Sequence, residues 1–532
     1  MEARRRQKSE VVTYVPEHGG IIVQDVRSAA RLHRCALLSP PGTSLTLNLV
    51  GLINGETAEA TAAALARFVA LEHLTLRFSF VDECAAAVIG GGLMQCRRIE
   101  HITVAIDHRT DPFNDSALVM LREAGQRLEG LERLQVRGDY VAGVGVEVLA
   151  DVLRESASLQ RLELPDLGGH GAGPTLCAGI RASCSLTFLS LGSAADEGGY
   201  TAIGRELERN TLLTELHLGA VDLAGGTAAA IAKGLAHNGT LQWLVLTARH
   251  IAAEGLAALV RALEHNDTLQ WLGLESSAID DEGAAALGLL LKTNKSLQGL
   301  KLRASAISDT GAAAIAEGLA YNASLVALDL SSNKIGAEGA AALGHALRHN
   351  RCLERLYLRD NRLEDKGAMA LVGSLAKNNV LHVLTIDACH LWGMEGLRAL
   401  GEALETNSAL LVLRLAAFLP LEVQVSLDVN LLFCGLPLPQ QAELSKLRSW
   451  FPHVGDRAPG QLFVVRHRST LASLFTTLAV ATSGARQPPE GGAQRSWQPS
   501  LPPPLVSDLL FSVSRILRQR DIITRCVSAG VD

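Results

Sequence analysis

No run of about 18 apolar residues occurs in this chain, so a membrane-spanning helix is not expected. The opening MEARRRQKSE is charged but carries no apolar core of the kind a secretory signal needs, and its short basic run reads as a solvated tail. A basic excess is also lacking. With 49 Lys and Arg against 55 Asp and Glu, the formal charge is −6, which gives no case for nucleic acid as a partner. The nine cysteines are scattered without a CxxC pair, which points to reduced thiols in a cytoplasmic setting.

Chemistry-bearing motifs are missing as well. No GxxxxGK[ST] phosphate loop, no HExxH pair and no separable Ser, His and Asp set can be found, so the expectation is a non-enzyme with no metal and no cofactor. The glycines read as turn residues of a repeat. Aromatic residues are scarce, with five Trp and five Tyr among 532 residues. Their placement therefore carries information.

What the chain has in quantity is a period. In Leu325–Asn350, LVALDLSSNKIGAEGAAALGHALRHN, apolar residues at Leu325, Leu328 and Leu330 read as a strand, SSNKI as a turn, and the segment with Leu343 and Leu347 as a helix. The leading apolar residue recurs at Leu71, Ile99, Leu131, Leu159, Leu186, Leu213, Leu241, Leu269, Leu297, Leu325, Leu353, Leu381 and Leu410. From Leu213 to Leu381 every gap is 28 residues. One such unit has too little apolar face to fold alone and must stack on its neighbours.

The pattern LxxLxL…(N/C)xL with a helical return resembles the ribonuclease-inhibitor type of leucine-rich repeat, found also in NOD-like receptors and Ran GTPase-activating proteins. The resemblance covers roughly residues 45–416. It implies an α/β leucine-rich-repeat solenoid of about 13 repeats, a horseshoe with a parallel concave sheet and outer helices. Asn333, Asn361 and Cys389 hold the family's post-strand position, with Ser277 and Ser305 as stand-ins and Val221 and Arg249 as departures. The inner hydrogen-bond ladder is accordingly in doubt in the first half.

The organisation then reads as a tail and partial cap over 1–43, the solenoid over 44–416 and a C-terminal cap region over 417–483. A Pro/Gly-rich linker follows over 484–504 and an amphipathic helix over 505–532. The terminal segment resembles the opening of an F-box at Leu501-Pro502, Leu509-Leu510, Leu517 and Asp521-Ile522. A helix packed back on the solenoid is the simpler expectation. Asp111-Pro112-Phe113-Asn114 marks a loop insertion, and the glycine run from Gly168 to Pro174 replaces a turn and an early helix.

Two recurring polar positions read as structural. Asn210, Asn238, Asn266, Asn294, Asn322, Asn350, Asn378 and Asn407 each stand three residues before a leading Leu, where Asn tolerates a left-handed helix end. Four of them open N-x-S/T sequons, and without a signal sequence glycosylation is not expected. Acidic residues at Asp281, Asp309, Glu338 and Asp365 fall at helix starts, where negative charge suits the helix dipole.

Strand alternation sends the residues between the core leucines to the open face of the sheet. On it Arg77, Arg133, Arg137, Arg161, Lys301, Arg303, Arg355, Arg359 and Arg414 outnumber Glu163, Glu215, Glu275, Asp329 and Asp387, which suits a protein partner with an acidic surface. Trp243 and Trp271 hold the same place in adjacent repeats and should stand about 5 Å apart. Interface hot spots favour Trp, Tyr and Arg. The candidate partner-binding set is therefore Trp243, Trp271, Glu275, Lys301, Arg303, Asp329, Arg355, Tyr357 and Arg359. The functional expectation is a protein-interaction scaffold. A ubiquitin-ligase substrate receptor acting through the C-terminal helix and a GTPase activator of the Ran type are the alternatives, the latter without the acidic tail usual in that family.

Overall fold

A computed structural model describes residues 44–386 except 54, 69–70, 107–115, 126–128, 170, 195, 224 and 276–278. It also describes four flanking strands and positions 403, 407, 409 and 410. The expected linker, the amphipathic C-terminal helix with its F-box-like motif, the Asp111–Asn114 insertion and Cys389 lie outside the described residues. The chain forms two compact units, Met1–Ala278 and Ile279–Asp532.

In the first unit a hairpin of β1 (Val12–Val15) and β2 (Gly20–Val23) precedes the repeats, with β2 parallel to β3 (Ser44–Ile53). Strand and helix then alternate: α1 (Gly55–Leu65), β4 (His73–Val81), α2 (Glu83–Leu93), β5 (His101–Ile106), α3 (Val119–Gly125), β6 (Arg133–Arg137), β7 (Tyr140–Val141) and α4 (Gly143–Glu155). They continue through β8 (Arg161–Leu167), α5 (Ala172–Ala182), β9 (Phe188–Ser193), α6 (Glu197–Leu207), β10 (Glu215–Leu223), α7 (Gly225–His237), β11 (Trp243–Ile251), α8 (Ala253–Leu263) and β12 (Trp271–Glu275). All pairings from β2–β3 to β11–β12 are parallel, so each repeat returns through a crossover on the same side. The helix after the glycine run starts earlier than its composition suggests, at Ala172. Gly171, at φ +85°, provides the left-handed step into it.

The second unit repeats the scheme with shorter strands: α9 (Asp281–Thr293), β13 (Gly299–Lys301), α10 (Asp309–Tyr321), β14 (Ala327–Asp329), α11 (Ala337–His349), β15 (Arg355–Tyr357), α12 (Glu364–Leu375), β16 (Val383–Thr385) and β17 (Val412–Leu415). β17 then pairs antiparallel with β18 (Gln461–Val464), which gives its outer edge a hydrogen-bonded neighbour.

Ala304, Ser332 and Asp360 recur 28 residues apart just past the strands and adopt φ of +54°, +58° and +56°. Ala304 N and Ser332 N still donate to Ser331 O and Arg359 O of the following repeat. A Cβ in this left-handed conformation costs about 1–2 kcal/mol, while glycine loses more freedom on folding. The difference predicts that Ala304→Gly raises stability by about 0.5 kcal/mol, whereas Ala306→Gly, outside the left-handed region, lowers it. Chemical unfolding of both variants checks this; a loss from Ala304→Gly equal to that from Ala306→Gly would show that the left-handed residue carries no strain.

The period is held by side chains as well as by leucines. Asn322 Nδ2 donates to Leu291 O at 2.7 Å and to Asn294 O at 3.4 Å, while its Oδ1 accepts from Ser324 N and Leu325 N at 3.0 and 2.7 Å. Asn238, Asn266, Asn350, Asn378 and Asn407 repeat the arrangement on their own neighbours. These asparagines are not left-handed caps. Asn322 has φ −73° and ψ 137°, an extended helix end that leaves its amide free to bridge two repeats. Their burial also removes the sequon amides of Asn238, Asn266, Asn294 and Asn322 from glycosylation in the folded state.

A second ladder lies after the strands. Asn333 and Asn361 donate to Leu302 O and Leu330 O at 2.8 and 2.9 Å, and accept from Ile307 N and Ile335 N. Serine is too short for the same reach: Ser305 Oγ is buried without a partner. Two of the helix-start carboxylates, Asp281 and Asp309, act between repeats. Asp281 accepts from Ser308 N and Gly311 N, and Asp309 from Gly336 N and Gly339 N, so each satisfies the first-turn donors of the following helix. The glycines serve helix contact as much as turns. A Cβ on Gly318 of α10 would run into the carbonyl oxygen of Gly288 on α9.

Candidate functional site

Register places the open-face residues in rows that cross the strands. In the first unit one row runs His73, His101, Arg133, Arg161, Phe188, Glu215, Trp243 and Trp271. The two tryptophans are in-register partners, as the spacing predicts, and their rings stack at 4.7 Å with an interplanar angle of 16°.

Their exposure differs from the expectation. Trp243 is 8% and Trp271 6% exposed. Each indole covers one face of the other, and in-register neighbours about 4.8 Å away leave little gap for water beside a bulky ring. Glu275, the third expected member in this unit, is half-buried.

The second unit shows the same departure more strongly. There β13, β14 and β16 are buried on both faces. Lys301 is 4% and Asp329 2% exposed, and they stand side by side in the row Lys301, Asp329, Tyr357, Thr385. Burial pushes the Asp329 carboxyl above its usual range, against the pull of the Ser331 donors and of the Lys301 and Arg303 charges. Tyr357 is buried, and desolvation raises its hydroxyl pKa. Arg303 stays half-buried. Arg355 and Arg359 point charges at the adjacent carboxylates of Glu354 and Asp360, at 3.5 and 3.4 Å. The Lys301, Asp329 and Tyr357 side chains thus belong to the interior of the second unit, and the expectation of a solvated patch fails there.

Exposure is found instead on β4, β5, β6 and β8. Strand β5 alternates half-buried and buried residues throughout, and so do β6 and β8 over their first four residues. On this face Glu163 is the hub. It accepts from Arg133 Nη2 and Arg161 Nε at 2.5 and 2.9 Å and from Gln135 Nε2 at 2.6 Å. Arg161 also lies over the Phe188 ring, 3.2 Å from its centroid. His217 Nε2 sits 3.0 Å from Glu215 Oε1.

At the other end of the row His73 and His101 stack at 4.5 Å, with their Nδ1 atoms 2.5 Å apart. One hydrogen bond between two Nδ1 atoms uses a single proton. Burial, then the neighbouring His73 and Arg133, hold the His101 pKa below its ordinary value, while Glu100 and Glu132 pull the other way. Sequence reading placed these residues on the open face but chose its site by aromatic content, and so passed over the stretch that solvent reaches.

Among the described residues no group of three or more His, Cys, Asp or Glu side chains could hold a metal, and no helix is long and apolar enough to cross a membrane. Cys96 and Cys177 are buried and unpaired, with desolvation pushing their thiols to about 11 and about 12.

These strands, ladders and same-side helices define an α/β solenoid of leucine-rich repeats. A family model described as Leucine Rich repeat matches residues 321–344 and 349–372. Among solved structures, the chain is similar to an internalin, InlF, from Listeria monocytogenes, at 16% identity over 71% of this chain and 87% of that one, with a TM-score of 0.36. It is similar to a chain of the yeast Rad7 and Elc1 complex at 15% identity over 63% and 84%, TM-score 0.38. A third similarity is to leiomodin-1 actin-binding site 2, 25% identical over 24% and 74%, TM-score 0.21. No curated protein sequence is significantly similar to the chain.

Proposed function

We propose that the protein is an interaction scaffold whose open sheet face, over β4 to β8, holds a partner protein. One observation carries this reading. The side chains facing away from the helices on these strands form a mainly polar surface, half-buried to exposed and interrupted by Ala105 and Pro165, on a ladder whose other face is filled with aliphatic side chains and Phe78. A preformed face of this kind binds without the ordering cost that a flexible segment would carry. The ribonuclease-inhibitor subtype, which the LxxLxL…(N/C)xL pattern with its helical return resembles, fits this reading and adds nothing to it.

The test is site-specific photo-crosslinking in cell extract. With the crosslinker at Thr103 on β5, a discrete partner protein should be captured. With it at Arg154 on α4, an exposed helix position, that band should be absent. Capture from the helix position alone, or equally from both, would overturn the open-face assignment.

A further inference from the structure

The exposed stretch of the face has a chemistry of its own. Apart from the half-buried Asp166 near the end of β8, over β4, β5, β6 and β8 it carries Arg77, Arg133, Arg137 and Arg161 against one carboxylate, Glu163. That carboxylate is already engaged by Arg133, Arg161 and Gln135. Arg133 and Arg161 still keep 42% and 36% of their side chains exposed. Arg77 and Arg137 are exposed, and among the described residues neither has an acidic partner. The chain as a whole is acidic, at −6, so this surface opposes the net charge.

Register gives the surface a shape. Arg77, Ala105 and Arg137 lie side by side on β4, β5 and β6, so the two guanidinium stems stand about 10 Å apart with a small residue between them. The next row is Thr75, Thr103 and Gln135, all hydrogen-bonding side chains, and the next is His73, His101 and Arg133. A carboxylate entering above Ala105 meets forked donors on both sides.

We infer that this surface binds an acidic peptide segment of a partner protein, with Arg77 and Arg137 as its principal anchors and the His73–His101 pair as a proton-linked third contact. The inference rests on the open face being the binding face, and names the partner's chemistry. A carboxylate arriving beside His101 favours its charged form, so binding takes up a proton and tightens as pH falls from about 8 to about 6. The charged groups beside the pair are Arg133 on β6 and Glu72, Glu100 and Glu132 at the strand entries, with Arg77 and Arg137 two rows further along. On the β3 side the neighbours are Ser44, Thr46 and Asn48, which carry no charge. Acidic protein is favoured over nucleic acid here because the chain as a whole carries −6 and the imidazoles of His73 and His101 are already stacked on each other.

The experiment titrates a fluorescein-labelled decaglutamate peptide against the full chain, with a neutral Gly-Ser peptide of equal length as reference. The acidic probe should bind at least tenfold more tightly than the reference, and more weakly as salt rises. The double variant Arg77→Ala/Arg137→Ala should lose at least tenfold. Arg122→Ala/Arg154→Ala, on the helices, should lose nothing. The wild type should bind at least threefold more tightly at pH 6 than at pH 8, and His101→Gln should flatten that ratio.

Equal binding of probe and reference, or an unchanged affinity in the double variant with an unchanged melt, would overturn the inference. So would tenfold tighter binding of a single-stranded RNA of equal charge, which would assign the face to nucleic acid. Crosslinking through Thr103 with failure of the acidic probe would leave the open-face scaffold standing and reject the acidic partner. Failure of the Thr103 crosslink with binding of the probe lost in Arg77→Ala/Arg137→Ala would keep the acidic site on this face and reject a single discrete partner captured there.

Discussion

Trp271→Ala is expected to destabilise the fold by about 4 kcal/mol, the range for truncating a large buried aromatic. The indole is 6% exposed and stacked on Trp243 at 4.7 Å, so its loss leaves a void beside a second ring and removes the ring–ring term, about 1 kcal/mol beyond area. Trp243→Ala should cost nearly as much. The double variant should cost clearly less than the two singles together, because each single change already destroys the shared contact. Trp271→Phe should retain much of the stability. Urea unfolding followed by circular dichroism measures all four. A Trp271→Ala midpoint equal to the wild type would place the rings in solvent and restore them as a candidate contact.

That expectation reverses what pattern alone suggests for the same residue, and the reason shows where sequence reading stops. A period of 28 residues fixes which side chains share a row, so the pairing of Trp243 with Trp271 and the row of Lys301, Asp329 and Tyr357 were legible from spacing. Alternation separates the two faces of a strand. It does not say whether the face turned from the helices meets water, since that depends on what else packs there, and no local pattern encodes it. Hence the scarce aromatics drew attention to strands whose second face is buried, while the arginines and histidines of β4 to β8, where the face is open, looked ordinary.

The recurring asparagines show a different limit. Their regular placement is visible in the sequence and implies a role at helix ends, but the helix end is extended, not left-handed. Asn tolerates a left-handed conformation, yet its amide also has two donors and an acceptor that a buried loop between stacked repeats leaves a need for. Only coordinates show Nδ2 reaching the carbonyl 31 residues back. The carboxylates at helix starts carry the same lesson, since the donors that Asp281 and Asp309 satisfy belong to the next repeat.

Asn350→Ala is the sharpest test of that ladder, with an expected loss of about 4 kcal/mol. Asn350 Nδ2 donates to Leu319 O at 2.8 Å and to Asn322 O at 3.1 Å, and Oδ1 accepts from Cys352 N at 2.9 Å and Leu353 N at 2.7 Å. Alanine strands two carbonyls and two N–H groups in a site where Asn350 itself is 2% exposed, and each unsatisfied buried group costs about 1–3 kcal/mol, part of it recovered by relaxation. Asn350→Asp separates the halves of the role, since the carboxylate keeps the acceptor for Cys352 N and Leu353 N but turns a lone pair toward two carbonyls. It should therefore be at least as damaging as alanine near neutral pH. Leu353 remains in both variants, so a loss cannot be credited to the hydrophobic core. A control at Arg348, on the exposed side of α11, should be neutral within about 0.5 kcal/mol. Hydrogen exchange at Leu353 N–H gives a local readout, with faster exchange expected in the alanine variant and near-native protection at Leu325, whose donor is held by Asn322. Loss of protection along the whole unit with no change at Leu353 relative to its neighbours would mean that the asparagines contribute to global stability without acting as a ladder between repeats.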